Sequence, residues 1–172
     1  MVTPRLRAAT AEDLPFLWDV LYEAIFVPAG QAPPPVSVLR DPRVSHYLAG
    51  FPTHPGDRGL VAETPTGPVG AAWHRRMPAS NPGYGFVGPD VPEVTIALMP
   101  PYRGQGIGTR LLRQLLADAE AAGHPGLSLS VHAKNPARRL YQRLGFVRVA
   151  SRVAADEAWT MWCVLGAGDG CG

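Results

Sequence analysis

The sequence predicts an α/β protein of the α+β kind, with about six to seven strands and about four helices. Three observations carry that reading. Apolar residues recur at helical spacing over residues 14–26, 108–122 and 135–146. Short β-branched or alternating runs stand between those stretches, and 19 Gly with 19 Pro punctuate the intervals. A chain of 172 residues can bury a sizeable core. The expected organisation is therefore one domain over residues 1–166 followed by a flexible C-terminal tail, 167–172.

A short strand is expected at Leu6–Ala8. The stretch "TAEDLPFLWDVLYEAIF" follows as a helix, because Leu14, Leu17, Trp18, Leu21, Tyr22, Ile25 and Phe26 share helical spacing behind acidic first-turn residues. Prolines make "VPAGQAPPPVSVLRDP" a loop, since each removes a backbone donor. A short second helix in "PRVSHYLAGF" stops at Gly50. "GLVAET", the turn "PTG" and "PVGAAWHRRM" read as a hairpin. After the loop 78–92 comes the strand "EVTIALM", then a glycine loop and a helix from Gly108 to Ala122 with Gly123 at its C-terminus. In "GLSLSVHA" the core-facing Leu127, Leu129 and Val131 alternate with Ser128, Ser130 and His132. "NPARRLYQRLGF" is a helix capped by Asn135, with Pro136 at its first position, Leu140 and Leu144 facing the core, and Gly145 ending it. "FVRVAS" and "AWTMWCVL" close the chain as strands, the latter expected to present an exposed edge through which copies can pair, so the expected state is a monomer or homodimer.

Composition narrows the function. A net charge of +2 gives no concentrated basic face for nucleic acid or an anionic membrane. No run of about 18 apolar residues spans a bilayer, and "MVTPRLRAAT" lacks a signal peptide's apolar segment. The two cysteines, Cys163 and Cys171, do not make a disulfide framework, so a cytoplasmic setting is expected. Lys134 is the only lysine among 16 basic residues, a bias that a GC-rich bacterial genome would produce. The five histidines show no ligand spacing with the cysteines, so no metal is expected.

The glycine loop carries the chemistry. A strand, then Arg103-Gly104-Gln105-Gly106-Ile107-Gly108, then a helix is the layout of an anion site, in which unpaired amides at a helix N-terminus point at the ligand and glycines let the backbone close on it. One such contact contributes roughly 0.3–1 kcal/mol, so several amides and a cation, here Arg103, must converge on a pyrophosphate. A Walker loop would need Gly-Lys-Ser/Thr, and Gly108-Thr109-Arg110 has no lysine. A dinucleotide fingerprint would need a glycine where Thr109 stands.

"RGQGIG" instead resembles the R/Q-x-x-G-x-G/A loop of the GCN5-related N-acetyltransferases, and "NPARRLYQRLGF" is similar to that family's second signature. The resemblance covers Glu93 to about Val149. It implies a central mixed, twisted sheet with a splayed pair of parallel strands and acetyl-CoA as cofactor. It further implies that Arg103, Gly104, Gln105, Gly106, Ile107 and Gly108 hold the pyrophosphate with Thr109 nearby. Ala97, Leu98 and Met99 would bond the pantetheine arm as an added strand. Asn135 would contact the cofactor with Ala137 beside it, and Tyr141 would lie near the thiol. Many members have one more residue between the Asn and the Leu-Tyr pair.

Acetyl transfer to an amine needs a base, oxyanion donors and an acid for the thiolate. Glu93, alternating with Thr95 and Ala97 on one strand face, is the expected base; otherwise it begins its strand in solvent, and water, His74, Glu63 or Asp90 serves. Tyr141, sharing a helix face with Ala137 and Arg138, is the expected acid. A main-chain amide near Leu98 or Met99, freed by a bulge, is the expected oxyanion donor. Trp18, Tyr22 and Phe26 are expected in the core, and Arg138, Arg139 and Arg143 on a solvated face, with Arg138 able to reach a CoA phosphate. The expected activity is acetyl transfer from acetyl-CoA to a primary amine of a small molecule or peptide by direct attack; a catalytically silent acyl-CoA sensor on the same fold is the alternative.

Overall fold

The computed structural model describes residues 3–153 and 157–166, so the expected tail at 167–172, with Cys171, lies outside the described residues. Seven strands and four α-helices are seen among those described: β1 (Arg5–Ala8), α1 (Leu14–Glu23), α2 (Pro42–Ser45), β2 (Arg58–Thr64), β3 (Gly67–Arg75), β4 (Glu93–Leu98), α3 (Ile107–Ala121), β5 (Gly126–His132), α4 (Arg138–Arg143), β6 (Val147–Val149) and β7 (Ala158–Val164). The strands form one mixed sheet in the order β1-β2-β3-β4-β5-β7-β6. β4 and β5 are the parallel neighbours, with Glu93 in register with Ser128; β1–β2, β2–β3, β5–β7 and β6–β7 are antiparallel. No helix among the described residues is long and apolar enough to cross a membrane.

Contacts within the chain gather into two compact units, one reaching from the N-terminus to Arg75 with Thr95–Leu115, the other taking Arg76–Val94 and the chain from Leu116 onward.

In the first unit, apolar spacing buries Leu17, Val20 and Leu21 on α1. The helix stops at Glu23, three residues short of the expected Phe26, and Trp18, Tyr22 and Phe26 are only half-buried rather than core. The Tyr22 hydroxyl donates to the Pro34 carbonyl (2.7 Å), tying the proline loop to the helix. That loop also contains a 3-10 turn, Val36–Arg40, in which the Val38 amide donates to the Pro35 carbonyl (2.9 Å) and the Asp41 amide to the Val38 carbonyl (3.0 Å). The β2–β3 hairpin turns at Pro65 and Thr66, with a register shift at Ala62/Glu63. Buried Trp73 on β3 donates to the Tyr47 carbonyl (2.9 Å). Arg75 and Asp57, with side chains 2% and 0% exposed, form an ion pair at 2.8 Å. Arg75 also donates to the carbonyls of His46 and Ala49, fixing the segment after α2 to the end of β3.

In the second unit, Leu127, Leu129 and Val131 of β5 are buried as the alternation predicts, yet Ser128 on the opposite phase is fully buried too. Both faces are therefore covered at the start of β5, and the alternation holds only further along, where Ser130 and His132 are half-buried. β7 has β5 on one side and β6 on the other, which corrects the expected exposed edge at residues 158–165. The edges of the sheet are β1 and β6.

Candidate active site

The predicted site residues fall into two sets, Ala97 to Thr109 in the first unit and Glu93, Asn135, Ala137 and Tyr141 in the second.

The first set is built on the end of β4 and the turn into α3. A 3-10 turn, Pro100–Tyr102, follows β4, closed by the Tyr102 amide on the Met99 carbonyl (2.9 Å). Gly104 and Gly106 then adopt left-handed φ of 73° and 78°, a conformation that side-chain-bearing residues adopt at a cost. A Cβ at either position would meet nothing within 4 Å, so these glycines bend the chain rather than make room for packing. Helix α3 begins at Ile107, one residue before the expected Gly108, and Ile107, Leu111, Leu112, Leu115 and Ala119 bury its apolar face. Among the described residues no backbone acceptor meets the amides of Gly104, Gln105 or Gly106, and the first helical amides of Ile107, Gly108 and Thr109 have none by the geometry of a helix start. Gly104, Gln105 and Gly106 are exposed. A run of amides without backbone acceptors is what a diphosphate needs, so this turn fits the group its sequence predicts.

Two expectations change here. The Arg103 guanidinium is occupied within the chain, pairing with Glu23 at 2.6 Å and donating from Nε to the Leu98 carbonyl (3.0 Å). The Met99 amide donates to the Val69 carbonyl (2.9 Å), so it serves the sheet and not an oxyanion or a pantetheine strand. A Cβ on Gly70 would come within 2.2 Å of Leu98 Cδ2 and 3.0 Å of the Ala97 carbonyl oxygen; β3 carries glycine there because β4 passes so close.

The second set starts with Glu93. Its side chain is 2% exposed, which removes the alternative of a solvent-facing strand start. The Gly85 N–H donates to its Oε1 (2.8 Å). A Cβ on Gly85 would lie 2.4 Å from the Leu129 carbonyl carbon, so only glycine brings this amide to the carboxylate. Gly85 and Ser128 lie against Glu93 and were not among the candidates that the sequence offers. Gly85 stands in the aperiodic 78–92 loop, and Ser128, the register neighbour of Glu93, falls on the polar phase of its strand; its Oγ is buried with no hydrogen-bond partner among the described residues.

Asn135 Oδ1 accepts from the Ala137 amide (2.9 Å), a turn ahead of the helix, but α4 begins at Arg138 with Ala137 in the cap position, which corrects the expected cap at Asn135 and first position at Pro136. Gly145, at φ 91°, lets the Phe146 amide return to the Tyr141 carbonyl (3.0 Å) and end the helix. Tyr141 is the buried residue of α4, whereas Leu140 and Leu144 are half-buried, a correction to the expected core pair. The phenol sits against Phe146 with ring centroids 6.1 Å apart. Burial pushes its pKa up to about 12. Arg138 is not on the expected solvated face but lies over the Trp159 ring at 4.5 Å. Of the other base candidates, Glu63 is bonded to Arg7 (3.2 Å), His74 is buried on β3, and Asp90 is exposed. No group of three or more metal-ligating side chains occurs among the described residues.

The sequence profile of the acetyltransferase (GNAT) family matches residues 21–146. The chain belongs to this family. Acetyl-CoA is the family's cofactor. No curated protein matches the sequence. Similar solved structures include the ribosomal-protein-alanine N-acetyltransferase of Brucella melitensis, at 22% identity and TM-score 0.67 over 94% of this chain and 99% of that one. A phosphinothricin acetyltransferase from Sinorhizobium meliloti, solved with acetyl-CoA, is 23% identical with a TM-score of 0.65 over 97% of this chain and 91% of that one. A GNAT-family acetyltransferase from Streptococcus pneumoniae is 20% identical with a TM-score of 0.65 over 94% and 99%. At these identities the likeness concerns the fold.

Proposed function

We propose that this GNAT protein transfers the acetyl group of acetyl-CoA to a primary amine by direct attack. The observation that carries the reading is the turn Gly104–Gly108, whose left-handed glycines and unpaired amides suit a diphosphate. Acetyl-CoA supplies an activated thioester carbonyl. The amides of Gly104 to Thr109 would hold its pyrophosphate, the Ala97 and Leu98 backbone its pantetheine arm, with Asn135, Ala137 and Tyr141 as further contacts. Glu93 is the proposed base: its carboxylate, oriented by the Gly85 amide, accepts a proton from the incoming ammonium directly or through water. Tyr141 is the proposed acid. Its hydroxyl keeps its proton up to about pH 12 and acts as a donor toward the departing sulfur. Ser128, beside Glu93, would hold a bridging water.

Thiol release measured against pooled amines, aminoglycosides, amino acids and peptides tests the activity, and calorimetry with acetyl-CoA tests the site. Binding without thiol release from any amine would overturn the catalytic reading. Glu93→Gln is expected to lower kcat about 100-fold with little change in the KM for acetyl-CoA. Unchanged activity across pH would remove Glu93 from the mechanism.

A further inference from the structure

The second unit holds a cationic cluster that acetyl transfer as described does not use. The guanidinium carbons of Arg138 on α4 and Arg148 on β6 lie 4.5 and 4.3 Å from the ring centroid of Trp159 on β7. The two positive charges are thus within about 9 Å of each other, and among the described residues neither meets a carboxylate. The nearby Glu157 is committed elsewhere, to His132 (3.2 Å) and Lys134 (3.7 Å). Nε of Arg138 is buried without a hydrogen-bond partner among the described residues. Beside the ring opens a concavity of about 330 Å³, lined by Arg148, Trp159, Thr160, Ala158 and residues 149–151 but not by Arg138, which reaches the site through the ring.

The physics of stacking gives this arrangement a purpose. A guanidinium held over an indole satisfies its flat face while its N–H donors, which lie in the plane, stay available. Two like charges fixed on one ring repel, and an anion between or beside them relieves that repulsion. A purely structural Trp159 would gain as much from apolar neighbours, without the desolvation cost of a buried Nε. Along α4, Arg138 stands three residues before Tyr141, on the same helix face. The backbone of Arg138 is therefore within about one helical turn of that of the proposed acid.

We propose that Arg138, Arg148 and Trp159 form an oxyanion subsite that selects acceptor amines carrying a carboxylate or phosphate group. This rests on the acetyl-transfer reading, so the test separates the two. The full chain is titrated with inorganic phosphate while the indole N–H signal of Trp159, assigned by its loss in Trp159→Phe, is followed by NMR. A saturable shift that disappears in Arg148→Ala is expected; no shift in the wild-type protein overturns the subsite whatever the enzyme's activity. Thiol release is then compared for amino acids and their carboxamides. Arg148→Ala is expected to lower kcat/KM at least 10-fold for the acids, mainly through KM, and to leave the amides within about 2-fold. Equal losses for both overturn acceptor selection. The 3′-phosphate of the cofactor is a second source of the same anion, and calorimetry distinguishes it: a loss of affinity in Arg148→Ala for acetyl-CoA but not for its dephospho form would overturn the acceptor assignment. A Trp159 shift with no thiol from any amine leaves the subsite standing and counts against acetyl transfer.

Discussion

The two units treat their charges in opposite ways. In the first, several arginines are neutralised within the chain: Arg7 lies between Asp13 (2.7 Å) and Glu63 (3.2 Å), Arg75 meets Asp57, and Arg103 meets Glu23. The turn from Gly104 to Thr109 leaves main-chain amides open there. In the second, Arg138 and Arg148 rest on an aromatic ring, while a carboxylate and a phenol are buried at Glu93 and Tyr141. The difference teaches that positive charge in a sequence says little about anion binding until its partners are known. Here the backbone of one unit and the side chains of the other carry the polar chemistry.

The largest test of this contrast is Arg75→Met. If the pair with Asp57 is scaffold, leaving that buried carboxylate with only the His54 amide costs about 3–5 kcal/mol of stability, measured by urea unfolding. A loss below about 1 kcal/mol would mean the pair contributes little. Next comes Tyr141→Phe. Because its hydroxyl makes no hydrogen bond among the described residues, stability should change little, while kcat falls about 100-fold. Ultraviolet titration of the wild-type protein should show the Tyr141 phenolate only near pH 12; ionisation near pH 10 would contradict its burial.

Gly106→Val sharpens the other half. Space is open at this position, so the cost is conformational, about 1–2 kcal/mol. Calorimetry should nevertheless show acetyl-CoA affinity reduced about 10-fold, because a strained φ at this position would reorient the amides of the turn. The smallest effect belongs to Asp13. Hydrogen bonds from Arg7 hold its carboxyl below the ordinary value against the opposing effect of burial. Its contribution is therefore present above about pH 4 and is lost as pH falls through the lower folded value. Asp13→Asn should lose about 1 kcal/mol at pH 7 and flatten the fall in stability toward pH 2. An unaltered acid slope would dismiss the pair as an exposed contact.

Much of the architecture was legible because its signals are local. Apolar spacing marked α1 and α3, and Gly123 and Gly145 ended helices as their left-handed φ requires. The turn 103–108 was legible because its glycines act through backbone conformation. The second set was harder. Gly85 reaches Glu93 across eight residues of loop with no periodicity, and Ser128 looked like a solvent-facing residue because alternation does not reveal when both strand faces are covered. Arg138 was placed on a wet helix face because its partner, Trp159, lies 21 residues away on another element.

By itself the sequence determined the α/β class, most element positions and the amide-bearing turn, since each depends on dihedral preferences and spacing within a few residues. Tertiary structure decided that Arg103 is occupied by Glu23, that Met99 serves the sheet, that Tyr141 rather than Leu140 or Leu144 is the buried residue of α4, and that two arginines share one indole. Those outcomes depend on which distant groups meet and how much water they lose, and no local pattern encodes either quantity.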